Sequence, residues 1–99
     1  MIPIAVSIEQ VQQWVKEWVV GFDPEVEVQV LSPHDDPRER GEVIPVRLGR
    51  RGYQMAVGFP ERSFPGSPLP EATRRTLEQV IRLLRYMEVR GLPRPDQAG

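Results

Sequence analysis

Ile44-Pro45-Val46-Arg47-Leu48-Gly49-Arg50-Arg51-Gly52-Tyr53-Gln54-Met55-Ala56-Val57 is the stretch that decides the fold. Two runs with alternating apolar residues flank Gly49-Arg50-Arg51-Gly52, whose glycines suit a hairpin turn. Folding the chain at Arg50-Arg51 sets Leu48 against Tyr53, Val46 against Met55 and Ile44 against Val57. Side chains alternate along a strand, so all six share one side. The second strand continues to Phe59, and the other side carries Pro45, Arg47, Gln54, Ala56 and Gly58. Pro45 has no N–H, so its nitrogen is expected to face away from a partner or to sit at a bulge.

Upstream, Val26, Val28 and Val30 alternate with Glu25, Glu27 and Gln29, which predicts a strand over 25–31 with one wet face. Before it, Ser7 opens a helix. Gln10 stands three residues later, as a capping box requires, with Val6 and Val11 at the staple positions. Ile8, Val11, Trp14, Val15, Trp18, Val19 and Phe22 fall within an arc of about 140°. Trp18 lies at the centre of that arc and reads as core; Trp14 lies at its margin. Gly21 and the Asp23-Pro24 pair end the helix. Ile2, Ile4 and Val6 have the alternation of a short edge strand.

Residues 32–41 read as a loop rich in Pro, Asp and Arg, and 60–70 as a proline-stiffened connector around Phe64. A second helix is expected over about 70–90, with Leu77, Val80, Ile81, Leu83, Leu84 and Met87 on one face. Gly91 and Pro93 stop it, and 92–99 reads as a disordered tail. The expected fold class is α+β in the order α-β-β-β-α. Residues 1–91 form a single domain, a three-stranded antiparallel meander with two helices packed on one face.

Composition narrows the function. The chain has 99 residues, with 13 Lys and Arg against 14 Asp and Glu, so no long-range field draws it to nucleic acid or anionic lipid. Cysteine is absent, which excludes disulfides, thiolate metal sites and cysteine nucleophiles. No apolar run approaches the ~20 residues of a membrane span, and the start lacks a basic leader with a long apolar stretch. A cytoplasmic protein is expected. Eleven prolines and no Asn point to a heat-resistant source.

The chemistry-bearing groups are sparse. His34-Asp35-Asp36 sets the single imidazole beside carboxylates, but a catalytic metal needs about three protein ligands and no second His exists. These residues read as a solvated loop, with the Asp residues making turns before Pro37. Ser32, Ser63 and Ser67 lack a glycine-flanked elbow. Gly49-Arg50-Arg51-Gly52 opens a strand rather than a helix, so it is no phosphate cradle. No catalytic residue, cofactor or metal is expected. Arg74, Arg75, Arg82 and Arg85 share the polar face of the second helix, interleaved with Glu71 and Glu78. Arg50 and Arg51 read as exposed at the turn.

The order of elements resembles the double-stranded-RNA-binding domain over residues 7–90. Ser32-Pro33-His34 stands where that family has a Pro/His-containing loop, and Arg74-Arg75 where it has a lysine cluster. Asp35-Asp36, Glu71 and the longer connector depart from its pattern. The resemblance implies phosphate contacts through His34, Arg74 and Arg75. Type III secretion chaperones share a similar helix–meander–helix beginning, with no motif in common.

The expectation is a small protein-interaction or assembly module without catalytic activity. Its partner would be a second copy, as a homodimer, or a small protein. Open sheet edges motivate it, with Ile2, Ile4, Trp14 and Leu31 as interface candidates and Val20 as exposed apolar surface. The alternative is RNA binding through His34, Arg74 and Arg75.

Overall fold

The computed structural model describes residues 7–36 and 41–92. Helix α1 spans Ile8–Phe22. Strands β1 (Glu27–Val30), β2 (His34–Asp36), β3 (Gly41–Arg50) and β4 (Tyr53–Pro60) follow. After a 3-10 turn at Glu61–Ser63, helix α2 runs over Glu71–Arg90. β1 and β2 both pair with one side of β3, and β4 pairs with the other, all antiparallel. β1 and β2 are thus two halves of one interrupted edge strand. The architecture is an α+β fold in the order α-β-β-β-α, with three antiparallel strand positions and both helices on one face. Ile2, Ile4, Val6 and the tail beyond Leu92 lie outside the described residues.

The interruption has a cause in β3. The Leu31 N–H donates to the Pro45 carbonyl at 2.9 Å. A strand residue presents its nitrogen and its carbonyl to the same side, so the nitrogen of Pro45 also faces the edge strand, without a proton to give. The edge advances four residues from Val30 to His34 while β3 recedes three, from Val46 to Val43. One extra residue is accommodated there as a bulge. After it, pairing resumes, and His34-Asp35-Asp36 form a strand rather than the turns expected of a solvated loop. The ten residues of β3 extend past the proline and offer them a ladder.

The hairpin is tighter than its glycine pair suggests. Arg51 and Gly52 are the turn residues, with φ of 50° and 89°. Two successive positive φ values define the two-residue turn whose twist matches the flanking strands. Arg50 therefore pairs with Tyr53, Leu48 with Met55, Val46 with Val57 and Ile44 with Phe59. This corrects the expected register by two residues along β4. Because the shift is even, every side chain keeps its face. Gly49 leaves the turn and becomes a strand residue opposite Gln54.

Helix α1 carries the expected capping box: the Gln10 N–H donates to Ser7 Oγ at 3.1 Å and the Ser7 N–H to Gln10 Oε1 at 3.4 Å. It stops at Phe22 because Asp23 precedes a proline and is held extended; Gly21 is still helical. Val11, Val15 and Val19 are fully buried, while Trp14 and Trp18 are half-buried. The line of closest approach to the sheet is filled by valines four residues apart, and the bulkier indoles flank it. Trp18 is thus a margin residue, stacked on Phe22 with ring centres 5.3 Å apart.

Phe64 anchors the connector in the core, edge-on to Phe59 at 5.3 Å. Leu77, Ile81 and Leu84 of α2 are fully buried. The Thr73 hydroxyl donates to the Ser63 carbonyl at 2.8 Å and ties the first turn of α2 to the connector. Gly91, at φ 67°, closes α2 with the Gly91 N–H on the Glu88 carbonyl and the Leu92 N–H on that of Met87.

Val46 is fully buried and its neighbour Arg47 is exposed. Val46→Asp should leave no folded protein, since an unpaired carboxylate at that depth costs about 4 kcal/mol or more. Arg47→Asp gives up one hydrogen bond to Gln29 and should cost less than about 1 kcal/mol. Circular dichroism in a urea series checks both; equal losses would contradict the assigned faces.

Candidate functional site

Among the described residues the largest cluster of charge lies at the hairpin end. Arg50 ends β3 on the inner face. Its Nε donates to Asp23 Oδ2 at 3.1 Å, its Nη2 to Glu25 Oε2 at 3.1 Å and its Nη1 to the Glu88 carboxylate at 2.6 and 2.7 Å. Arg85 gives Nε and Nη2 to Asp23 Oδ2, both at 3.0 Å, with its guanidinium 5.5 Å from the Phe22 ring centre. Arg51 holds Glu25 through Nε and Nη2 at 3.1 and 2.7 Å. The Glu25 N–H donates to Asp23 Oδ1 at 3.0 Å.

Burial pushes the Asp23 carboxyl up. The Glu25 N–H, the Arg85 hydrogen bond and the charges of Arg85 and Arg50 outweigh it, and the carboxyl sits below its ordinary value. The hydrogen bond from Arg51 likewise lowers Glu25. Each carboxylate here is partnered by an arginine. The cluster is a clasp between the end of α1, the hairpin and the end of α2.

The two long edges of the sheet differ. On β1, alternation from the Leu31–Pro45 bond turns the backbone groups of Val28 and Val30 outward. Gln12 of α1 occupies both: its Nε2 donates to the Val28 carbonyl at 2.8 Å and its Oε1 accepts from the Val30 N–H at 2.8 Å. One side-chain amide thus stands in for a neighbouring strand. The bulge and β2 follow immediately. That edge is capped and bent, two established means of blocking strand addition.

On β4 the same alternation turns the backbone groups of Gln54, Ala56 and Gly58 outward, since Tyr53, Met55, Val57 and Phe59 face β3 in hydrogen-bonded pairs. Among the described residues β4 pairs with β3 alone. Tyr53–Pro60 holds no charged residue in eight positions. The outward side chains are small or slim. Gly58 is a close-packing position: a Cβ there would come within 2.5 Å of Val43 Cγ1. Met55 and Val57 on the inner face are only half-buried. This edge is long, uncharged and, among the described residues, uncapped, and it is the candidate site.

The outer face of the sheet holds a shallow trough of about 330 Å³ over Gly49, lined by Glu27, Gln29, Arg47 and Gln54. It is polar and open, and Arg47 already donates to Gln29 at 3.2 Å. Among the described residues no three His, Cys, Asp or Glu side chains gather as a metal site. No helix among them is long and apolar enough to cross a membrane.

The residues singled out from sequence are dispersed. Trp14 lines a crevice with Trp18, Pro68 and Leu69, whereas Leu31 is half-buried at the bulge. Ile2 and Ile4 lie outside the described residues. His34 is exposed on β2, and Arg74 and Arg75 are exposed on the first turns of α2. Arg75 pairs with Glu71 at 2.7 Å and Arg82 with Glu78 at 2.7 Å, while Arg85 is committed to Asp23. Three of that helix's five arginines are therefore already held by carboxylates. Sequence reasoning missed Gln12, which lies outside the apolar arc and reads as solvated. It missed the clasp because Arg50 was assigned to the turn. The uncharged run Tyr53–Pro60 was visible in the sequence and could have marked the edge. No family model, curated protein or solved structure matches this chain, so the likeness to the RNA-binding domain is one of element order.

Removing the central cation tests the clasp. Arg50→Met should cost about 2–3 kcal/mol by leaving Glu88 and buried Asp23 short of a partner, and Arg51→Met, on the exposed side, much less. The lowered carboxyl of Asp23 contributes stability that is complete above its unfolded value, about pH 4, and is lost as pH falls through the folded one. Urea midpoints from pH 7 to pH 2 should therefore fall below about pH 4, and fall less steeply in Asp23→Asn.

Proposed function

We propose that this domain is a protein-interaction module that docks an extended polypeptide segment along the free edge of β4. The observation that supports this is the contrast between the edges: α1 spends Gln12 on capping β1, while β4 presents three outward residues that carry no charge and, among the described residues, no cap. Strand addition to such an edge draws affinity from main-chain hydrogen bonds and selectivity from alternate side chains. The half-buried Met55 and Val57 would select apolar residues at every second position of the segment. No reacting group is required. Three of the five arginines of α2, Arg75, Arg82 and Arg85, are held by carboxylates, which favours this reading over nucleic-acid binding.

A displayed library of linear peptides, selected on dilute immobilised protein and counter-selected on Ala56→Pro, tests this directly. Proline there removes an outward N–H and no bond to β3. Enriched peptides should show apolar residues with a period of two and should slow amide exchange at Gln54, Ala56 and Gly58. Enrichment of peptides that bind both proteins equally would refute the site. The stiff, Asn-free composition further supports a heat-resistant source. Calorimetry should then place the thermal midpoint above the 45–65 °C where mesophilic domains cluster, roughly.

A further inference from the structure

We infer that the segment docked on β4 is β4 of a second copy, antiparallel about a two-fold axis at Ala56, so that two sheets become one. The inference rests on the docking reading above and names its occupant.

The edge is self-complementary in one register. Antiparallel pairing matches outward residues only with outward residues. Setting Ala56 against Ala56 of the second copy sets Gln54 against Gly58 and Gly58 against Gln54, and every outward donor and acceptor of the three is used. Sliding by two residues would bring Pro60 opposite Gln54, and proline has no N–H to give. The side chains also fit. Across the axis on the outer face stand Ala56 with Ala56 and Gln54 with Gly58, without bulk and without like charges. On the inner face Met55 meets Val57 of the second copy, and each covers the other's half-exposed side.

A second observation is independent of the strand. Leu83 and Tyr86 of α2 are large apolar residues with 48% and 55% of their surface exposed. They lie with Gln79 and Arg82 around one hollow of about 430 Å³. Leu84 points into the core, and Arg85 points to Asp23 at the end of α1. At 100° per residue, Leu83 then lies on the opposite flank from Arg85, away from α1. α1 packs over β1, and α2 over β3 and β4. The flank of Leu83 is therefore the one that overlooks the free edge, while Tyr86, about 160° around from Leu84, borders it toward the back of the helix. The same two-fold axis brings α2 of the second copy to face it, and covers apolar surface that a single chain leaves in water.

Sedimentation of the intact chain from one to several hundred micromolar tests the assignment. The wild type should approach twice the 11.3 kDa chain mass. Ala56→Lys places like charges across the axis on an exposed face, and Leu83→Glu charges the flank; each should weaken association at least tenfold. Val20→Glu, at an exposed apolar position of α1, should not. Far-ultraviolet circular dichroism confirms that each variant folds. Should Ala56→Lys not fold, wild-type amide exchange at Gln54, Ala56 and Gly58 decides: slow when concentrated and fast when dilute under the proposal, and unchanged otherwise. A dimer that survives both Ala56→Lys and Leu83→Glu overturns it. A strict monomer that still selects strand peptides overturns the second-copy assignment and leaves the docking reading standing. A strict monomer that selects none removes both.

Discussion

The Arg50 guanidinium gathers three carboxylates from two separated parts of the chain: Asp23 and Glu25 after α1, and Glu88 in the last turns of α2. Its position is what the rest of the structure depends on. As the last inward residue of β3, it requires the chain to reverse at Arg51-Gly52 and not one residue earlier. That reversal sets the register of β4, and with it which backbone groups face outward at the free edge. The left-handed conformation of Arg51 is disfavoured for a non-glycine residue. It is offset where the same side chain binds Glu25. Tyr53, the first residue after the turn, donates its hydroxyl to the Leu92 carbonyl at 2.6 Å, which adds to the ion pairs of Arg50 and Arg51 with Glu88 in joining the hairpin end to the end of α2.

A second constraint acts from the other side of β3. Pro45 denies the edge strand one donor, and that strand bulges beside it. Gln12 closes what remains of β1. The sheet therefore has two unlike edges, although its three strand positions would by themselves give two similar ones. The unlikeness follows from two polar details, a missing proton and one amide side chain, and neither belongs to the hydrophobic pattern.

That pattern explains how far the sequence could be read. The apolar alternation of Ile44–Leu48 and Tyr53–Val57, the valines of 26–30 and the helical periods over 8–22 and 71–90 carry face and element type, because burial selects them directly. Register is different. A slip of two residues leaves every side chain on its own face, so no count of apolar positions distinguishes Leu48 with Tyr53 from Leu48 with Met55. The turn's φ values distinguish them, and two flanking glycines pointed to the wrong pair. The misplaced turn then made Arg50 a solvent residue and concealed the clasp, so a single error of register accounts for both. The strand at His34–Asp36 was concealed for a related reason: its pairing is induced by the length of β3, and its own residues favour turns.

The candidate edge was legible only as an absence of charge. A strand that remains at the rim of a sheet ordinarily carries lysine, an inward charge or a bulge that discourages pairing. Tyr53–Pro60 carries none before its terminal proline. The same chain does protect its other edge, so the omission on β4 is selective. The exposed Leu83 sits on the flank of α2 turned away from α1, on the side of that strand. Hydrogen-bonding capacity and apolar surface thus coincide along one side of the molecule. Among the described residues nothing covers either, and a partner that extended the sheet would reach both at once.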